Sequence, residues 1–452
     1  MLPELHTSVP GPRSLAEAEK LRRFESRNVT YMDAEFPVFW QRAEGVNIWD
    51  VDGNRFLDWT SAFGVAGLGH TNPAVRDALI RQAGTILHGM GDVHPTPLKA
   101  ELCERLSALT FERWGAGPGK TILGNSGFEA VEAALKTALL FSGKPGVLAF
   151  RGAYHGLGYG ALEVAGTPYF REPFRAQLKD FASLLDYPSG PSRPGADFPE
   201  GAAGWEARLE AEIDAALAAR PIGAILVEPI QGRGGEIIPP RTFLPLLRRV
   251  CDARGLLLIA DEIYTGFNRT GALFACEHSG VVPDVICLGK GLTSGFPLSA
   301  CVGRAAVMDA WPASNGEALH TSTFLGNPLG CAMALASLDA HARPEMAAHV
   351  RERGARLMAA LRMLRSPRIV DVRGVGLLAA VEFDLDGAAV NGLVKAALRD
   401  GLIFLQSGPA GNILAFTPPF AIADAEIAFT VERLGKSLAA LDIRARACEN
   451  TW

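Results

Sequence analysis

The stretch from Leu256 to Leu292, LLLIADEIYTGFNRTGALFACEHSGVVPDVICLGKGL, constrains the fold more than any other part of the chain. Leu256 to Ala260 is an apolar run that ends in Asp261 and Glu262, and Val285 to Leu288 is a second that ends in Gly289-Lys290-Gly291. Short continuous apolar runs of this kind are the pattern of strands buried on both faces of a parallel sheet. In open parallel sheets ligands gather beyond the carboxyl ends of the strands. An acid and a lysine that each follow such a strand therefore reach one crevice. Glycines on both sides of Lys290 leave room around it, and desolvation there lowers the pKa of an amine and frees it as a nucleophile.

The rest of the chain supplies an α/β framework for that crevice. From about Lys120 the pattern is strand, turn and helix, repeated. Thr121–Leu123 precedes a helix from Phe128 to about Phe141, and Gly146–Phe150 ends at Arg151-Gly152-Ala153-Tyr154-His155-Gly156. A helix from about Trp205 to Ala219 leads to Ala224–Val227, which ends in Glu228, and the helix Phe243–Ala253 leads into the opening stretch. Leu298–Val302 is a further strand whose short connection from Leu292 suits an antiparallel course. Tyr187–Gly204, rich in Pro, Gly and Ser, is a surface excursion. The alternation implies a mainly parallel, mixed sheet between helices, forming a large unit over residues 74–328.

Before this unit, Ser14-Leu15-Ala16-Glu17 is a capping box opening a helix to about Phe24. Val46–Trp59 gives two short strands around Asp52-Gly53, followed by the glycine-rich loop Ser61–Pro73 and a helix of about Ala74–Leu87. After Pro328 a long helical stretch, Leu329 to about Leu364, leads to Ile369–Leu378 and then two more strands and helices. Residues 329–452 are thus expected to form a smaller α+β unit, packed with residues 1–73.

Composition excludes several function classes. Apolar residues at 48% and charged residues at 21% describe a globular chain, and a net charge of −5 without a basic block gives no reason to expect nucleic-acid binding. The seven cysteines are scattered, with no Cys-x-x-Cys pair, so no metal site is expected. No apolar run approaches membrane-spanning length and no signal pattern opens the chain, so a cytoplasmic location is expected.

Several motifs converge on the crevice. Gly124-Asn125-Ser126-Gly127-Phe128 places small residues between a strand end and a helix start, where free backbone N–H groups and the helix dipole favour an anion. Ser126, Gly127 and Phe128 could hold a phosphate; singly, they read as an ordinary helix cap with Glu129 in the first turn. Tyr154 could stack on a heteroaromatic ring with Ile263 on its other face. Arg373, in a glycine-flanked loop, could fork onto a carboxylate. A Schiff-base lysine with an acid for a pyridinium nitrogen is what pyridoxal phosphate requires. Two patterns are decoys. Gly119-Lys120-Thr121 lacks the earlier glycine of a phosphate-binding loop, Trp114 standing there. Gly156-x-Gly158-x-x-Ala161 resembles a dinucleotide fingerprint, but no clear helix start follows Tyr159 and no acidic strand end stands about 20 residues on.

Taken together, these residues resemble the class III pyridoxal-phosphate aminotransferases, fold-type I enzymes that include acetylornithine, ornithine and 4-aminobutyrate aminotransferases. The matching blocks run from Gly69-His70 through Asp261–Gly271, Gly289-Lys290-Gly291 and Thr323–Pro328 to Arg373–Leu377. The resemblance implies pyridoxal 5'-phosphate bound to Lys290, which also shuttles the proton, with Asp261 keeping the pyridine nitrogen protonated. It implies Tyr154 and Ile263 around the ring, Ser126, Gly127 and Phe128 at the phosphate, and Glu228 and Tyr264 on the phenolic side. Thr323 would reach the phosphate of the neighbouring subunit in an obligate homodimer. The implied reaction moves an amino group from an amino acid or ω-amino acid to 2-oxoglutarate or pyruvate.

Racemisation, epimerisation and aminomutase chemistry would use the same lysine and aspartate; an NAD(P)-dependent oxidoreductase would use the Gly156 pattern. Departures from the family fall at the phosphate, for Phe128, and in the substrate pocket. Phe128 stands for a usual threonine, Leu157 for an arginine, Arg233 for a glutamate after Gln231-Gly232, and Phe63 for a pocket tyrosine of ornithine aminotransferase. Arg373 is kept, so a carboxylate on one substrate is implied. The missing glutamate leaves the usual two-substrate switch open: Arg233 either adds a positive contact for an acidic substrate or sits outside the pocket.

Overall fold

The computed structural model describes residues 1–29, 36–190, 199 and 202–449, with side chains as far as Ile443; most of the excursion read at Tyr187–Gly204 lies outside them. Seven strands form the central sheet: β1 (Gly119–Gly124), β2 (Gly146–Phe150), β3 (Ala182–Leu185), β4 (Ile222–Val227), β5 (Leu257–Asp261), β6 (Val285–Leu288) and β7 (Ser299–Arg304). Their spatial order is β1-β7-β6-β5-β4-β2-β3, and β7 alone runs against its neighbours. Alternate residues of each strand enter two cores: Val147 and Ala149 of β2 face one, Leu148 and Phe150 the other. Helix Gly127–Ser142 covers the first face through Ala130, Val131 and Ala134; Phe243–Arg254 covers the second through Phe243, Leu247 and Val250. The apolar runs in the sequence are continuous because both faces are buried. One consequence decides the site: β1, β2, β4, β5 and β6 all end at the same edge.

The terminal segments build a second core. Strands Ile369–Val375, Leu378–Phe383, Ile413–Phe416 and Leu405–Ser407 form an antiparallel sheet, in the spatial order of naming. Trp40–Glu44, Asn47–Asp50 and Arg55–Asp58 form another, completed by Leu402–Ile403 running parallel beside Arg55–Asp58. Trp59 stacks on Phe404 and donates its indole N–H to Thr430 Oγ1 at 3.0 Å, so residues from both ends of the chain share one core. Arg269 ties this core to the large sheet, donating to the carbonyls of Leu377 (3.0 Å) and Pro418 (2.7 Å) and to Ser61 Oγ (3.2 Å).

Three local expectations are corrected. The first helix runs Pro12–Phe24, with Gly11 as its cap, not from a capping box at Ser14. Pro12 is pre-set for the first helical position, and Asp52 accepts from the Arg13 and Ser14 amides at 2.8 and 2.9 Å. The long helical stretch is two helices, Pro328–His341 and Pro344–Leu361, because Pro344 cannot continue the hydrogen-bond ladder and instead opens the next helix. The helix read as Ala74–Leu87 is Pro73–Ala83.

Candidate active site

The shared sheet edge collects the crevice residues. After β6, Lys290 has φ +40°, a conformation rare outside glycine and one that only the surrounding structure can maintain. Its Nζ lies 4.6 Å from the centre of the Tyr264 ring. Burial lowers the pKa of this amine, while the charges of Asp261 and Glu228 pull it partly back. After β5, Asp261 is buried; its Oδ1 accepts the Ile263 amide at 3.1 Å and its Oδ2 lies 2.7 Å from His155 Nδ1. Burial alone would lower the His155 pKa, but its hydrogen bond to Asp261 and the charges of Asp261 and Glu228 outweigh that and raise it. His155 follows Tyr154 directly and was not singled out in the sequence. Its only signal there is a histidine at a strand end of the crevice.

Glu262, the other half of the acid pair, is structural. Its carboxylate accepts from the Ala275 and Cys276 amides at 2.9 and 2.8 Å. Glu228 accepts from Tyr154 N (3.1 Å) and Gly232 N (3.2 Å), and its burial raises its pKa to about 7.

Ser126 caps the helix Gly127–Ser142, and Glu129 reaches back to the amides of Asn125 (2.6 Å) and Ser126 (2.7 Å). The Gly127 and Phe128 amides, at the first two helical positions, have no acceptor within the helix. A Cβ on Gly127 would stand 3.0 Å from Ile263 Cδ1, so this glycine lets the helix start approach the residue expected against the ring. These features fit pyridoxal phosphate: free amides for the phosphate, Asp261 for the ring nitrogen and a depressed lysine for the aldehyde.

The dinucleotide-like pattern has another purpose. A short helix, Tyr159–Glu163, does follow it, contrary to expectation. A Cβ on Gly156 or Gly158 would fall 2.3 and 2.5 Å from Phe128 side-chain atoms, and Glu132 Oε1 accepts the Gly160 and Ala161 amides at 2.7 and 3.0 Å. The small residues are a packing surface for the helix Gly127–Ser142.

The substrate side differs most from expectation. Arg373 lies within the strand Ile369–Val375, not in a loop, paired opposite Ala380. Its guanidinium is buried, donating to Gly235 O and Glu236 O and bonding Asp371 (2.9 Å) and Glu382 (2.7 Å). Its fork is filled by the protein. Arg233, in contrast, is exposed, its guanidinium 5.7 Å from the Tyr154 ring centre and 5.2 Å from that of Phe170. Phe63 is exposed on a left-handed turn in which Ser61, Ala62 and Phe63 have φ of +47°, +49° and +63°. It lines an apolar cavity of about 390 Å³ with Val38, Trp40, Ile403 and Phe404. Thr323 is exposed; its neighbour Ser322 accepts from Asn125 Nδ2 at 3.2 Å, so this loop passes the start of the helix Gly127–Ser142.

Glu236 was also missed. It is buried, and burial raises its pKa from 4.5 to about 8. The unfolded chain gives up this proton near 4.5, whereas the folded chain keeps it to about 8. The folded state therefore binds more protons in that window, and stability falls as pH rises through it. Glu236→Gln removes this slope, so its melting temperature relative to the parent is expected to rise from pH 5 to pH 8. An unchanged difference would refute the buried, protonated carboxyl.

This architecture, with a lysine and an acid at the carboxyl edge of a mainly parallel sheet, is that of a fold-type I pyridoxal-phosphate enzyme. A profile of the aminotransferase class-III family matches residues 29–438. A 4-aminobutyrate aminotransferase of Mycobacterium leprae is 36% identical over 96% of this chain and 98% of its own length. A 5-aminovalerate aminotransferase of Pseudomonas aeruginosa is 35% identical over 86% of this chain and 91% of its own. The solved amine transaminase of an uncultivated Pseudomonas species, in its pyridoxal-phosphate-bound form, matches with a TM-score of 0.82 and 30% identity, covering 92% of this chain and 98% of that one. The chain belongs to the class III aminotransferases. It is a pyridoxal-phosphate-dependent enzyme that passes an amino group from an amino donor to a 2-oxo acid.

Proposed function

We propose that the donor is an ω-amino acid, the acceptor 2-oxoglutarate or pyruvate, and Lys290 the residue that binds the cofactor and moves the proton. The observation that carries this reading is the depressed Lys290 amine sharing one crevice with the Asp261–His155 pair. When bound, pyridoxal phosphate supplies an aldehyde that condenses with amines and a ring that accepts the electron pair released at the substrate carbon. Lys290 would hold the cofactor through its Nζ and, once that amine is free, would carry the proton from the substrate carbon on Nζ. Asp261 keeps a proton on the ring nitrogen, and His155 fixes the carboxylate's orientation through Oδ2. Tyr154 and Ile263 hold the ring flat, Ser126, Gly127 and Phe128 bind the phosphate, and Glu228 and Tyr264 border the phenolic oxygen. Phe63 and Arg233 contact substrate; Arg373 acts one step back, by fixing the carbonyls of Gly235 and Glu236.

The ω-amino acid assignment is supported by the 4-aminobutyrate and 5-aminovalerate specificities named for the two relatives and by the exposed Arg233 cation beside the Tyr154 and Phe170 rings. A homodimer, with Thr323 at a neighbour's phosphate, is supported by exposed Leu87, Met90, Val93, Leu319 and Phe324. Their two segments are joined by Thr321 Oγ1 donating to Asp92 at 2.7 Å, and an apolar face of this kind marks an association surface. The division at residues 74–328 and 329–452, with 1–73 joining the latter, is supported by the two separate cores. Among the described residues no helix is long and apolar enough to cross a membrane, and a cytoplasmic location is part of this proposal.

The test is the visible spectrum of the purified protein with pyridoxal phosphate, followed by 4-aminobutyrate, 5-aminovalerate and simple ω-amines. The expected result is a yellow band that a donor bleaches and 2-oxoglutarate or pyruvate restores, with glutamate or alanine formed. Bleaching by α-amino acids alone would overturn the ω-amino assignment.

A further inference from the structure

Two buried titratable groups, Asp58 and His70, stand at either end of the loop that meets Lys290. A Cβ on Gly64, within that loop, would stand 2.7 Å from Tyr264 Cε2 and 3.7 Å from Lys290 Cδ. The backbone there packs directly on the lysine side chain and on the ring that flanks it. The three residues before Gly64 reach this place through strain: Ser61, Ala62 and Phe63 all take the left-handed conformation that only glycine adopts freely. Phe63, the last of them, is 59% exposed. It gains little burial in return for that strain, which marks the turn as a functional position.

Asp58 holds the turn in shape. Its fully buried carboxylate meets four donors, Oδ1 accepting from Thr60 N (2.8 Å) and Thr60 Oγ1 (2.6 Å), Oδ2 from Ala62 N (3.1 Å) and His70 Nε2 (2.7 Å). A carboxylate only accepts, so the hydrogen of the last contact belongs to Nε2. Without His70, Oδ2 would keep the Ala62 amide alone. His70 is itself fixed: its amide and carbonyl bond Gly45 at 2.9 and 3.0 Å, and its ring stands edge-on to Trp40. The other side of the turn is fastened to the second core. Ser61 Oγ donates to Thr417 O (2.6 Å), Thr417 Oγ1 donates to Thr60 O (3.2 Å), and the Tyr264 hydroxyl donates to Thr417 Oγ1 (3.4 Å). These bonds impose one backbone shape, whose outcome is a large apolar side chain held in the open one residue from the lysine contact.

We propose that Asp58 and His70 are a positioning pair for the substrate side of the site: they hold the turn Thr60–Gly64 so that Phe63 bounds the space open to the donor's carbon chain. This rests on the reading of Phe63 as a substrate contact. Asp58 and His70 touch neither substrate nor cofactor and act through Phe63.

The test is the donor half-reaction of the cofactor-loaded enzyme, followed by rapid mixing with 4-aminobutyrate, butylamine and alanine in turn, so that it does not depend on which class of amine is the donor. His70→Ala should raise the KM of a reacting donor about 10-fold while kcat changes less than about threefold, the pattern of a lost binding contact. His70→Gln, whose side-chain amide can still donate to Asp58 Oδ2, should recover most of that loss. Phe63→Ala should raise KM similarly, and adding His70→Ala to it should change nothing further, since no side chain is left to position. Multiplying effects of the two substitutions, or a fall in kcat at unchanged KM, overturn the positioning role and leave His70 a structural histidine. Phe63→Ala with the parental KM for every donor rejects the substrate contact on which the pair rests. KM raised in Phe63→Ala but parental in His70→Ala rejects the pair alone.

Discussion

Replacing Lys290 with alanine is expected to lower kcat by about 10⁴-fold, the upper end of what a positioned proton-transfer group contributes. Two roles are lost at once. On the proposed roles, the amine that would bond the cofactor disappears, and so does the base that would take the proton from the substrate carbon. Lys290 suits both because burial depresses its pKa, giving a fraction of free amine that an exposed lysine lacks near neutral pH. Its φ of +40° is maintained by the surrounding fold, so the alanine variant is expected to remain folded with its strain unrelieved. The check is a coupled assay for glutamate formation beside a visible spectrum, in which the band of the lysine-bound cofactor is absent. Undiminished turnover without added amine would reject the assignment. Partial recovery with small primary amines would support it, since they replace the proton carrier without restoring the tether.

Asp261→Asn is expected to cost about 10²–10³-fold in kcat, as removal of a preorganised charge does in other active sites. The substitution keeps the side chain's size, so packing against β6 is conserved while the negative charge proposed to hold a proton on the ring nitrogen is lost. The partner responds as well. His155, whose pKa the aspartate raises, loses its hydrogen-bonded charge, and desolvation of its buried ring is then opposed less, so its pKa is expected to fall. A change of under threefold in kcat would show that ring protonation does not depend on Asp261. His155→Asn should give a smaller loss with unchanged KM, as befits a residue acting through Asp261.

The residues that the sequence disclosed are those whose neighbours in space are strand ends. Asp261, Lys290, Tyr154, Glu228 and the Ser126–Phe128 turn each follow a run of apolar residues, and those runs are visible because both faces of the sheet are buried. A parallel arrangement then brings their ends to one edge without any further information. Strand β7 was also legible as antiparallel, since a connection from Leu292 to Ser299 is too short for a crossover.

Charge partners were not legible. Arg373 looked available because a glycine follows it; in the fold it lies in a strand whose register puts Glu382 and Asp371 against its guanidinium. Glu236 gave no signal at all, and Ser14 looked like a helix cap until Pro12 and Asp52 displaced it. The Gly156 pattern was set aside as a nucleotide loop from the sequence, but only the fold shows Phe128 and Glu132 filling its space. The sequence by itself determined the sheet, the crevice and the cofactor, because strand periodicity and the order of short motifs are local properties. Tertiary structure decided which arginine is free, which acid is buried and which glycines only make room. Those depend on groups far apart in the chain, and a side chain's charge and reach are set by the partners it meets there.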